Sequence, residues 1–156
     1  MDNHAMQVIQ AAQRQQMIQT LQQCNGMTQR YGLTLTLPQM FALMAERQNA
    51  LVESGRMELG EGILPTLIFA FCDSPYLIKE EYAQQLMTLQ NLFYLFKNDT
   101  DGILADDELL LAMKRLYNDK GHGSLEYLEN TTVSDIVRAA LGREEGEDGD
   151  DDAWDD

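Results

Sequence analysis

Ile63–Cys72 reads ILPTLIFAFC, the longest apolar run in the chain. Pro65 suits the first turn of a helix, where its missing N–H is not needed. A helix apolar on nearly every face belongs at the buried centre of a bundle. Ten residues are too few to cross a bilayer as a helix, so the run is read as core rather than membrane. Asp73–Tyr76, DSPY, closes it as a turn, with Pro75 blocking continuation.

The clearest helical spacing in the chain follows. Ile78, Tyr82, Leu86, Leu89, Phe93 and Phe96 recur at intervals of three and four and predict one face of a helix from Ile78 to Phe96. On the other side of the central run, Pro38 starts a helix that ends at Gly55, with Met40, Phe41, Met44 and Leu51 as its apolar side. Before it, Met17, Leu21 and Cys24 form a stripe in a Gln-rich helix that stops near Gly32. That stripe fades in residues 1–16, where Met6 and Ile9 give way to Gln13 and Gln16. This segment reads as an exposed extension or one laid against a partner. Beyond residue 105, Leu109, Met113 and Leu116 share a helix face, NDKGHG is a loop, and residues 124–142 give one helix or two short ones broken at Asn130–Thr132. Ser124 and Ser134 are the N-cap candidates. The expectation is an all-α, single-domain bundle of about six helices over residues 1–142, packed around Ile63–Cys72.

The formal charge is −15. Residues 1–142 carry 17 acids and 10 bases, and residues 143–156 carry nine acids and one base. That last stretch, REEGEDGDDDAWDD, cannot bury enough surface to offset its ordering entropy and is read as a disordered acidic tail. Its single aromatic, Trp154, is the candidate interaction residue, an anchor among charges that would steer it onto a basic protein surface. The alternative role for the tail is simple solubilisation. No Lys/Arg cluster exists beyond Lys114-Arg115, which argues against nucleic acid or an anionic membrane as partner. Cys24 and Cys72 stand apart without a CxxC or Cys/His pattern and are read as small buried groups in a reducing, cytoplasmic setting.

One stretch resembles a known device. FKNDTDGILADDELL, residues 96–110, is similar to a calcium loop between two helices. With Gly102 at the sixth position, Asp99, Asp101 and Glu108 fall at the third, fifth and twelfth, and these three are the candidate metal ligands. Lys97 takes the first position, where a carboxylate belongs, and Ala105 removes a ligand at the ninth. Two unit charges of like sign at 4 Å repel by about 4 kcal/mol at intermediate dielectric, so an ammonium is a poor neighbour for a dication. A plain connector explains the same letters, since Asp106, Asp107 and Glu108 suit the first turn of a helix. No cofactor is implied. His122 beside Ser124, with a neighbouring carboxylate, supplies a third, enzymatic reading, and Glu61, Asp73 and Glu126 are candidates to face a common pocket. Cys72-Asp73-Ser74 at a helix C-terminus is a poor setting for a reactive thiol.

The runs CNGMTQRYGLTLT (Cys24–Thr36), GRMELGEGILPTLIFAFCDSPYL (Gly55–Leu77), LFYLFKNDT and GSLEYL (Gly123–Leu128) resemble a family of small bacterial proteins of unknown function. The resemblance covers residues 17–141. It implies a bacterial cytoplasmic helical protein and supplies no activity, cofactor or site residue. The reading from the sequence is a non-enzymatic protein–protein interaction module, with calcium binding as the alternative.

Overall fold

A computed structural model describes residues 3–58, 60 and 62–142. They form seven α-helices and no strand: α1 Asn3–Thr28, α2 Leu37–Ser54, α3 Leu64–Phe71, α4 Tyr82–Asp99, α5 Asp106–Arg115, α6 Leu125–Glu129 and α7 Val133–Leu141. Short 3-10 turns at Gln29–Tyr31 and Lys79–Glu81 and a π-helical turn at Leu116–Lys120 complete the chain. The acidic tail and Trp154 lie outside the described residues.

The centre of the bundle is α4 as much as α3. Ten of the eighteen residues of α4 are buried, including Tyr82, Leu86, Leu89, Phe93 and Phe96 from the predicted face. It packs against α2, α3, α5 and α6, whereas α3 packs against α1, α4 and α5. Leu64, Leu67, Ile68 and Phe71 of α3 are buried, but Phe69 is 44% exposed. The run is therefore a core helix with one open side. Ile78, predicted to open the α4 face, lies outside the helix as an extended residue, and its backbone N–H donates to Gln85 Oε1 at 2.9 Å.

Local chemistry fixes most boundaries. Thr36 caps α2 through a reciprocal pair with Gln39: Thr36 Oγ1 accepts from Gln39 N, and Gln39 Oε1 accepts from Thr36 N at 2.8 Å. Ser124 caps α6 as predicted, accepting from Tyr127 N at 3.0 Å. The second predicted cap is corrected. Thr132 caps α7, paired reciprocally with Asp135, and Ser134 lies inside the helix, where its Oγ accepts from Arg138. The break before Thr132 shows residues 124–142 to be two helices.

The stripe of α2 also differs from the expected one. Met40, Leu43, Ala50 and Leu51 are buried, and Gln90 of α4 donates to Leu43 O at 3.2 Å to pin the pair. Phe41 sits one residue round the helix from that arc and is 49% exposed. In α1 the core begins at Met17. Met17, Ile18, Leu21, Cys24 and Thr28 are buried, while every residue from His4 to Gln16 except Ala5 is exposed. Met6, Val8 and Ile9 are 43%, 55% and 50% exposed. No helix among the described residues is long and apolar enough to cross a membrane.

Candidate functional site

The connector from Lys97 to Glu108 forms a tight turn. Thr100, buried at its base, donates from Oγ1 to Phe96 O at 2.8 Å, and Asp101 and Gly102 both adopt positive φ, 54° and 68°. Asp99 ends α4 and is exposed, as is Asp101. Glu108 Oε1 accepts from Ala105 N at 2.8 Å, and Asp107 Oδ1 accepts from Glu108 N at 3.0 Å. Alanine has no side-chain acceptor, so this is half of a capping box. The three ligand candidates are not gathered: among the described residues no group of three His, Cys, Asp or Glu side chains could hold a metal ion.

Lys97 reaches into the turn instead. Its ammonium donates to Leu104 O and pairs with Asp106 Oδ1 at 2.8 Å, with the side chain 14% exposed. The chain thus supplies this turn with its own cation. Lys97→Met is expected to destabilise by about 1–2 kcal/mol, since Leu104 O loses a charged donor and Asp106 its partner. Urea midpoints check it. Calcium titrated into the wild-type protein is expected to give no heat at millimolar ion.

The second candidate lies where the 73–78 turn meets the 116–124 segment. Ser74 Oγ donates to Asn118 Oδ1 at 2.7 Å, or accepts if that amide is turned, and Lys114 pairs with Asp73 at 2.7 Å. Phe71, Tyr117 and Tyr76 stack edge to face, with ring centroids 5.7 and 6.2 Å apart. Gly123, at φ 82°, presses on Tyr76. His122 is exposed at φ 49° and makes no hydrogen bond or ion pair among the described residues. Asp73 is taken by Lys114, Glu126 is exposed, and Glu61 lies outside the described residues. The structure brings no carboxylate to His122.

The cysteines differ from one another. Cys24 is 1% exposed, as predicted, but Cys72 is only partly buried at the C-terminal end of α3, a correction to the reading of both as buried. Partial burial and the Asp73 carboxylate push the Cys72 thiol up, against the pull of Lys114 and Arg30. A thiol held in that form is a weak nucleophile.

The third site was not found by sequence reasoning. Arg47 Nε donates to Glu58 Oε1 at 3.0 Å, and Tyr94 Oη donates to the same oxygen at 2.6 Å. Arg47 and Glu58 side chains are 15% and 16% exposed. Burial first, then the Glu58 carboxylate that accepts its proton, pushes the Tyr94 phenol far above its usual range. Gly62 closes over the pair, and a β-carbon there would stand 2.0 Å from Glu58 Oε1. Beside this cluster a groove of about 560 Å³ runs between α1 and α2. Met17, Phe41, Met44 and Leu51 give it apolar walls, and Arg14, Arg47, Gln10 and Gln13 give it a polar rim. Positions 47, 58 and 94 belong to three different elements, so no local pattern marks them. The signal that was available is the fading stripe of α1.

These elements define the class: an all-α bundle with one half-helix standing clear of its core and an amphipathic groove at that helix's root. The chain belongs to a family of unknown function, DUF6323, whose model matches residues 20–146. A search of curated proteins and a search of solved structures each gave no match. The sequence runs that carried the family resemblance are placed here as well. Tyr94 with Glu58, and Gly123 against Tyr76, bring distant segments together, while Thr28 and Asn25 fix the connector from α1 to α2, Asn25 by bonding Leu35 N and O at 2.8 Å each.

Proposed function

We propose that this chain is a bacterial, cytoplasmic, non-enzymatic module that acts through protein–protein contact, and that its binding face is the exposed N-terminal half of α1 with the groove at its root. One observation carries the reading: residues 4–16 of α1 are exposed on all sides apart from Ala5, with Met6, Val8 and Ile9 between 43% and 55% exposed. A single helix of this length is marginal in water, because helical stability in proteins comes mainly from packing an apolar face. A partner that covers Met6 and Ile9 and fills the groove beside Phe41 would provide that packing. The acidic tail with Trp154 would add steering toward a basic border on that partner. Its chemistry is therefore an apolar ridge edged with Lys or Arg.

The calcium alternative is weakened because Asp99, Asp101 and Glu108 are not gathered, Glu108 Oε1 is taken by Ala105 N, and the Lys97 ammonium sits in the same turn. The test of the leading reading is partner capture by the wild-type chain against Ile9→Glu and Phe41→Glu. Both positions are on the surface, so helicity is expected to be unchanged while the captured protein is lost.

A further inference from the structure

Charge is not spread evenly over this protein. Residues 3–45 contain Arg14 and Arg30 and not one acid, whereas residues 46–142 carry 16 acids and eight bases. A segment with nine acids and one base, residues 143–156, is thus repelled by most of the molecule and attracted to the part that includes α1 and the start of α2. The groove lies on that part. Arg14 stands at its rim with no ion pair among the described residues, Arg47 and Glu58 neutralise one another, and Met17, Phe41 and Met44 line it. Its volume of about 560 Å³ is ample for one indole ring. The acidic segment holds the only tryptophan in the chain.

We propose that residues 143–156 dock in the α1–α2 groove of their own chain, with Trp154 seated against Phe41 and Met44 and the flanking acids facing Arg14. Trp154 is twelve residues beyond Gly142, a span of up to about 40 Å when extended. From α7 the packing runs through α5 and α3 to α1, three helix-to-helix steps of 8–10 Å, or about 30 Å across the bundle, to which the displacement along α1 toward its exposed half adds. The docked segment covers the face assigned above to a partner, so this inference rests on that reading and gives it a regulation.

Trp154 is its own probe. Its fluorescence in the full-length protein is expected to be blue-shifted relative to a synthetic peptide of residues 143–156. The shift should not depend on protein concentration over a hundredfold range. It should revert toward the peptide value in about 0.5 M salt, where screening is strong, and in Phe41→Glu and Arg14→Glu variants whose circular dichroism is unchanged. An emission equal to that of the free peptide overturns the proposal. So does a shift that survives both substitutions, which would place the indole elsewhere, or one that grows with concentration, which would assign the groove to another copy. Partner capture by the wild-type chain is read separately. It can succeed with Trp154 exposed throughout, or fail with Trp154 seated.

Discussion

Gly123→Ala is expected to destabilise the protein by about 3–5 kcal/mol, combining a strained left-handed backbone with a steric conflict. Gly123 adopts φ 82°, and a β-carbon there would lie 2.4 Å from both Cβ and Cγ of Tyr76. A Cβ is fixed by its own backbone, so no rotamer of Tyr76 relieves the contact. The two loops must part instead. That separates the Tyr76–Tyr117 edge contact and the Ser74–Asn118 hydrogen bond, which tie the α3 exit to the π-helical turn. Gly102→Ala is the control: φ is similar at 68°, but nothing lies within 4 Å of the added carbon. It should cost only about 1 kcal/mol. A melting point lowered by about 10 °C for Gly123→Ala and by a few degrees for Gly102→Ala is the expected pair of results. Equal shifts would mean that the Tyr76 contact contributes nothing.

The Gly123 case shows where the sequence is legible and where it is not. Pro38, Pro65, Gly55 and the spacing Tyr82–Leu86–Leu89–Phe93–Phe96 announce helices because each acts within a few residues of itself. Gly123 reads only as part of a GHG loop, since its constraint comes from Tyr76, 47 positions earlier. Phe41 reads with Met40, Met44 and Leu51 as the apolar side of α2, yet it lies a 100° turn from Met40, and only the position of α4 decides which of the two is covered. Ser134 lost the cap of α7 to Thr132 because both are good caps and the Asp135 side chain closes the pair only with Thr132. Lys97 was legible as a misfit in a calcium loop. Its contacts with Leu104 O and Asp106 needed the fold. The Arg47–Glu58–Tyr94 cluster was invisible for the same reason as the Tyr76 contact.

Alkaline pH is expected to unfold the protein steeply. Tyr82, Tyr94 and Tyr117 are 2%, 2% and 0% exposed, and burial pushes all three phenols above their usual range near 10. The neighbouring Thr28 side chain offsets part of the rise at Tyr82, while Glu58 and Glu81 add to the rise at Tyr94 and Tyr117. Above about pH 10 the unfolded chain releases these protons and the folded chain keeps them, so stability falls as pH rises. Each group contributes a slope of about 1.4 kcal/mol per pH unit up to its own folded-state value, about 4 kcal/mol per unit while all three hold their protons and about 3 once Tyr117, the least raised, has released its own. One to two units therefore remove an amount comparable with the whole stability of an ordinary domain. Phenolate absorbance from these three groups is expected to rise together with loss of helical circular dichroism. Tyr94→Phe should reduce the slope by about one third. Three phenols titrating near pH 10 with helicity intact would contradict the burial described for them.

The functional account stands on the exposed N-terminal half of α1, and the most direct test is the affinity of a captured partner for three surface variants. Ile9→Glu and Phe41→Glu alter the proposed face. Ile103→Glu alters a residue 74% exposed in the α4–α5 connector, away from that face. The account predicts that the first two weaken the complex at least tenfold, about 1.4 kcal/mol or more, while the third leaves it unchanged. Equal affinity for all three variants would contradict it.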